Sequence, residues 1–236
     1  MKDCFSANFT ETYFEEKKLA KDRKIVFDFY YSLVKKLKKS GKLLELGCGY
    51  GFLLKRFEKD FETYGIDVSR IAIKKAKEIC KNSKIYLRDA NDLSIFKSNF
   101  FDVVVALHLL EHLKNPTKVI KQISRILKKN GIFLFVTPNM DSPMRKLKKE
   151  NWFGYRDETH ISLLFPNEWY EMLKRNGFKI LIKVSDGFWD SPYLPLVPAT
   201  IQKPIFGILT AIQFILKKPF IPVLLGEDLI VVAKKS

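Results

Sequence analysis

In the stretch LLELGCGYGFL, residues 43–53, an apolar run ends in Glu45 and is followed by glycines at alternate positions, Gly47, Gly49 and Gly51. Glycine has the most backbone freedom to lose on folding. Three within five residues therefore mark a backbone that bends tightly and leaves room for something beside it, since a turn alone needs only one. Two more acids end the next apolar stretches, Asp67 in TYGID and Asp89 in KIYLRD, and Ala90 and Asn91 follow the second. A carboxylate at Asp67 can accept both hydroxyls of a ribose. One at Asp89 can accept an exocyclic amine, with the backbone of Ala90 and Asn91 alongside. Three carboxylates would repel a pyrophosphate. They suit a ligand that carries a cationic amino-acid part, a ribose and an adenine.

Proton transfer would fall to three histidines, His108, His112 and His160. An unperturbed imidazole titrates near pH 6.5, so each is a candidate general base; each can equally be a packed, hydrogen-bonded histidine. His108 lies just past an apolar strand, at the end where a substrate would stand. His112 follows Glu111 in LLEHL and is the weaker candidate for a base, because one further turn points it into the fold. His160 precedes an apolar helix. Glu111 and His112 with another carboxylate could be read as metal ligands, but the pattern supports this weakly and no metal is expected. Cys48, inside the glycine loop, reads as a small apolar filler of the ligand wall.

These groups need elements to hold them. Residues 14–39 repeat apolar positions at helical spacing, an amphipathic helix closed by Gly41. After it, strand-like runs alternate with helical ones. The strands are expected at 42–46, 63–67, 84–89, 101–107 and 131–138, and the helices at 51–59, 69–80 and 116–129. Ser69 caps one helix and Pro116 opens another. FDVVVAL and GIFLFVTP are nearly continuous apolar runs, as the buried centre of a parallel sheet requires. The alternation implies a doubly wound, Rossmann-like α/β sheet with its ligand at the carboxyl edge of the strands. Residues 139–165 read as irregular, 166–178 as a helix, and 179–186 and 228–236 as strands. Dinucleotide sites favour Gly-x-Gly-x-x-Gly, whereas the spacing here is Gly-x-Gly-x-Gly.

At this point the chain resembles the class I S-adenosylmethionine-dependent methyltransferases. LELGCGYG is similar to their glycine motif, YGIDVS to their second-strand motif and LRDAND to their adenine motif. FDVVVALHLLEHL and LKKNGIFLFVTPN resemble the fourth- and fifth-strand motifs, in the same order. Through THISLLFPNEWYEMLKRNGFKI the likeness continues toward the small-molecule branch that includes ubiquinone-biosynthesis O-methyltransferases. The resemblance implies S-adenosylmethionine as cofactor and a seven-stranded sheet whose last strand, DLIVVAKKS, is antiparallel. It also extends the expected cofactor contacts to Val68, Ala106 and Leu107. No Asn/Asp-Pro-Pro-aromatic loop follows the fourth strand and no Pro-Cys nucleophile occurs. Methylation of nucleic-acid bases is therefore disfavoured, and a small or lipid-like acceptor methylated on oxygen is expected. Two other readings stay open: a catalytically silent module of the same fold that binds cofactor, RNA or a partner, and a nicotinamide-dependent oxidoreductase.

The formal net charge of +16 favours anionic partners or a lysine-rich solvated surface. The three cysteines, Cys4, Cys48 and Cys80, form neither a disulfide framework nor a zinc knuckle. The first residues carry no apolar signal core, so a cytoplasmic location is expected, with membrane association left open. Three parts follow: an N-terminal helical cap over 1–40, the cofactor-binding domain over 41–186 and 227–236, and a hydrophobic insertion over 187–226. The insertion can be a helix on the fold's own core, a lid or dimer contact, or an element lying in a membrane interface.

Overall fold

The strands sort their side chains by alternation, and the two faces that result build two cores. The computed structural model describes residues 23–236. Along β4 (Phe101–Leu107), Val103 and Val105 point to one face while Val104 and Ala106 point to the other, all fully buried. The sheet has seven strands in the order β3-β2-β1-β4-β5-β7-β6. The other strands are β1 (Gly41–Leu46), β2 (Phe61–Asp67), β3 (Lys84–Leu87), β5 (Leu127–Pro138), β6 (Phe178–Ser185) and β7 (Asp228–Lys235). β1 to β5 run parallel, and β7 slots between β5 and β6 antiparallel to both. The doubly wound sheet with an antiparallel last strand is as expected.

One face is covered by α1 (Lys24–Leu37), α2 (Phe52–Phe57) and α3 (Arg70–Ile79), whose Phe29, Leu33, Phe57, Ile73 and Ala76 meet Leu43, Val103, Leu134 and Ile230. The other is covered by α4 (Pro116–Ile126) and α6 (Pro166–Arg175), whose Ile120, Ile123, Trp169 and Leu173 meet Leu44, Val104, Phe135 and Val231. Ser69 caps α3, its Oγ accepting the Ala72 N–H at 3.3 Å, and Asn115 caps α4 ahead of Pro116.

Several boundaries differ from the sequence reading: the first helix stops at Leu37, with Gly41 the first residue of β1 and not the helix end, and β5 begins at Leu127 rather than 131. The part of the first helix before Arg23, like Cys4, lies outside the described residues. Strand β3 stops at Leu87, so Asp89 stands in the following turn. Helix α4 ends at Ile126 rather than 129, because Leu127 is claimed by the sheet and pairs with Phe101. The segment 139–165 contains a short helix, α5 (Pro143–Lys148). It is tied to the fold by the buried Trp152, whose indole N–H donates to Glu227 at 2.7 Å. Within the insertion, residues 199–216 form one helix, α7.

Candidate functional site

Strands β1, β2 and β4 end together at the carboxyl edge, and the chain between β1 and α2 bends there through positive φ at Gly47, Gly49 and Gly51 (67°, 51° and 81°). The bend closes on β2: the Cys48 N–H donates to the Ile66 carbonyl at 3.0 Å and the Gly49 N–H to Asp67 Oδ2 at 2.9 Å. The other Asp67 oxygen accepts the Ser69 N–H at 2.8 Å. A carboxylate offers about four lone-pair positions, so Asp67 retains acceptor capacity for a hydroxyl. Burial raises its pKa, and the N–H groups of Ser69, Gly49 and Val68 work against that rise.

Glu45 is buried at the foot of the same cleft, and its Oε2 has no hydrogen-bond partner. Burial and the neighbouring Asp67 push its pKa well up, with the Leu54 N–H opposing. A buried carboxylate oxygen without a partner costs free energy, which a cationic or N–H-bearing ligand group recovers. Asp89 is exposed at the far end, where its Oδ1 accepts the backbone and side-chain N–H of Asn91 at 2.8 and 2.9 Å.

The cleft wall includes Glu45, Gly47, Cys48, Gly49, Asp67, Val68, Asp89, Ala90, Leu107, His108 and His112. These residues fit an aminoacyl, ribose and adenine ligand: an orphaned acid at one end, a two-oxygen acceptor in the middle, and an exposed acid at the other. Burial pushes the Cys48 thiol well up, in keeping with a neutral filler. Four expected residues do not reach the wall. Ala106 is fully buried among the α4-side core. Asn91 orders Asp89 instead of facing the cleft. Gly51 packs against α3, where a Cβ would stand 2.7 Å from Cys80 Sγ. His160 sits behind His112, ring centroids 4.8 Å apart, with its Nδ1–H donating to the Gly154 carbonyl at 2.7 Å. The wall also takes Arg23, just ahead of α1, Phe27 of α1, and Tyr50, Phe52 and Arg88. The approach of α1 to this edge had no signal in the sequence. Tyr50, Phe52 and Arg88 are immediate neighbours of motif residues, which was the available clue.

At the opposite end from Asp89, His108 has a left-handed backbone (φ 47°), unusual for a non-glycine residue. Its N–H donates to the Val136 carbonyl at 2.9 Å. The half-buried imidazole lies between two acids, Nδ1 3.4 Å from Glu111 Oε1 and Nε2 3.7 Å from Asp228 Oδ2. Glu111 is fully buried. Neither of its oxygens has a hydrogen-bond partner; burial works to raise its pKa, but the facing imidazole of His108 and the charges of His112 and His160 outweigh it and lower the pKa. Asp228 is pushed the other way, by burial and by Asp186, and Asp186 itself is raised by burial to about 7. Ionised Glu111 thus faces Nδ1, while Nε2 faces an acid held toward its neutral form.

Glu111, His112 and His160 could be considered for a cation, with donor atoms all within 4.8 Å of one another. Donors around a tetrahedral zinc, bonded at about 2.1 Å, stand about 3.4 Å apart, so the spread is wide. His112 Nδ1 also already meets Thr159 Oγ1 at 2.9 Å.

Residues 19–182 match the family model described as Methyltransferase domain. An uncharacterized protein of Methanocaldococcus jannaschii is 34% identical over 76% of this chain and 74% of its own length. A ubiquinone biosynthesis O-methyltransferase of Pelagibacter ubique is 33% identical over 49% of this chain, which spans about half of that relative. The crystal structure of an S-adenosylmethionine-dependent methyltransferase from Archaeoglobus fulgidus superposes with a TM-score of 0.69, covering 96% of this chain and 100% of the other at 20% identity. A second such structure, from Mesorhizobium loti, gives 0.60 over 87% of this chain and 97% of the other at 16% identity. Family match, sheet order and cleft chemistry agree: this chain belongs to the methyltransferase domain family, as a class I enzyme whose cofactor is S-adenosylmethionine.

Proposed function

We propose that the enzyme methylates an oxygen of a small or lipid-like acceptor, with His108 as the general base. The observation that carries this reading is the imidazole held between Glu111 and Asp228 at the cleft end remote from Asp89. When bound, the cofactor supplies a methyl group on a sulfonium, already activated for transfer. What the chain must add is position and a place for the acceptor's proton. An amine can attack unprotonated, whereas a hydroxyl gains from losing its proton as it attacks, so a positioned base supports an oxygen acceptor.

Glu111, buried and held toward its ionised form, faces Nδ1 at 3.4 Å with neither oxygen otherwise partnered, and a proton on Nδ1 directed at it leaves Nε2 as the basic nitrogen. It also stabilises the imidazolium that forms once Nε2 takes the proton. Asp228, held toward its neutral form, does not compete for that proton as an ionised acid would. The imidazolium then returns the proton from Nε2 to solvent, the side chain being 29% exposed. Orientation of reactants can contribute about 7–11 kcal/mol to such a reaction and a positioned base about 10²–10⁴-fold. The name of the Pelagibacter relative is consistent with oxygen methylation.

The test pairs product chemistry with one variant. Extracts are incubated with methyl-labelled cofactor and the labelled product is analysed by mass spectrometry. His108→Asn should lower turnover by about 10²–10⁴-fold while leaving the affinity for S-adenosylhomocysteine within a few-fold. A product labelled on nitrogen or carbon, or a variant with full turnover, overturns the proposal.

A further inference from the structure

Helix α7 is built inside out. A surface helix ordinarily turns its apolar stripe inward and its polar residues to water. Here the two glutamines are buried and serve as internal fasteners. Gln202 Oε1 accepts the N–H groups of Tyr193 and Leu194 at 2.6 and 2.9 Å, and its amide donates to the Leu194 and Val197 carbonyls. Gln213 donates to the Ser185 carbonyl at 2.8 Å and accepts from Phe220 and Ile221. The isoleucines take the outside. Ile201, Ile205, Ile208, Ile212 and Ile215 recur at alternating steps of four and three, the spacing of one helical face, and are 40% to 64% exposed. That stripe runs about 21 Å at 1.5 Å per residue. Leu209 and Leu216 widen it and Leu224 extends it, all exposed.

The charge around the stripe has one sign. Lys203 stands near its start, Lys217 and Lys218 close its end, and the Lys36 ammonium reaches the Lys217 carbonyl at 2.7 Å. Residues 191–226 contain no Asp or Glu. A second copy of the chain would set like charges together, each protomer carrying +16, with no acid on the patch to pair the lysines. An anionic lipid surface supplies both an apolar layer and the opposite charge. We infer that α7 docks the enzyme on anionic membranes, lying in the interface with the isoleucine stripe buried among acyl chains and the lysines at the headgroups. It lies on the bilayer and does not cross it. Eighteen residues span about 27 Å against a hydrocarbon core of about 30 Å. The inward side is held by both glutamines and by Phe214, whose ring meets Phe29 at 4.9 Å in the core. This inference stands on α7 alone and does not depend on the acceptor reading.

The test is co-sedimentation of the full chain with vesicles of phosphatidylcholine containing phosphatidylglycerol, and with phosphatidylcholine alone. Binding is expected to the anionic vesicles only, reduced by high salt. Ile205→Glu with Ile212→Glu should reduce the partition at least about tenfold, and Lys217→Glu with Lys218→Glu about tenfold. Both variants should keep the wild-type thermal shift with S-adenosylhomocysteine, which shows that they are folded. In the wild-type chain, amide exchange across residues 199–216 should slow when anionic vesicles are added, a measurement that needs no variant. Absence of binding to anionic vesicles overturns the inference. So does undiminished binding by the Ile205→Glu, Ile212→Glu variant, or a stable wild-type dimer that this variant dissolves.

Discussion

Gly51→Ala separates a glycine that shapes the fold from one that faces the cofactor. Gly51 has φ 81°, and an added Cβ would stand 2.7 Å from Cys80 Sγ and 3.3 Å from the Ala76 Cβ of α3. Two costs follow. Holding an L-residue in the left-handed region costs about 1–2 kcal/mol. Overfilling a packed contact costs about 1–3 kcal/mol more, because Cys80 is buried and its thiol already donates to the Gly51 carbonyl at 3.1 Å. The sum is about 2–5 kcal/mol, which for a domain of this size lowers Tm by about 5–15 °C. Gly51 is not on the cleft wall, so the folded variant should bind S-adenosylhomocysteine within about threefold of wild type by calorimetry, a difference below about 1 kcal/mol. A double-mutant cycle with Cys80→Ala isolates the contact from the backbone strain and should return a coupling of about 1 kcal/mol. If Gly51→Ala kept full stability but lost ligand affinity, the glycine would belong to the site and the packing argument would fail.

Two further perturbations are as direct. Asp67→Ala removes the acceptor for the Gly49 and Ser69 N–H groups together with the ribose contact expected of it; S-adenosylhomocysteine at about 100 times Kd should add about 2.7 kcal/mol to the wild type and little to the variant, and an equal melting shift in both would remove Asp67 from the site. Asp186 has its pKa raised by burial to about 7, so the folded state holds a proton that the unfolded chain releases near pH 4; the stabilisation this gives is complete at acid pH and is lost as pH climbs through about 7. Asp186→Asn should therefore gain stability relative to wild type between about pH 4 and 7, read from urea midpoints, and a difference constant with pH would show that Asp186 does not carry the proton.

Much of the fold was legible because two periodicities do not overlap. The nearly continuous apolar runs at 101–107 and 131–138 are short and rich in Val, Ile and Phe, which reads as buried strands, and the charged helices around them fit a covered sheet. Of the site, the acids and the loop glycines were readable from order and spacing. What was hidden is tertiary. Gly51 looks like its two neighbours in sequence, yet it faces Cys80, twenty-nine residues on. His160 reads as a reacting group but stands behind His112. Asp228 reads only as the start of the last strand, and the pairing of β7 with β5 brings it to His108. Nor could the sequence of α7 say which side faced out, because its apolar residues are numerous and its two glutamines carry no label for inside.

The insertion leaves and re-enters the sheet through a pinched neck. Gly187 and Gly226 nearly touch: a Cβ on Gly226 would stand 2.5 Å from the Gly187 nitrogen, and the Glu227 N–H donates to the Gly187 carbonyl at 3.0 Å. Strands β6 and β7 already meet there as a hairpin, in register up to Ser185 and Leu229. The chain between is thus a pendant on a closed ring. It is also fastened at the neck, where the Ser185 N–H donates to the Ile221 carbonyl at 2.9 Å and Gln213 donates to the Ser185 carbonyl at 2.8 Å, so length and composition can drift over evolutionary time in the segments between these anchors while the β6–β7 ladder keeps its register.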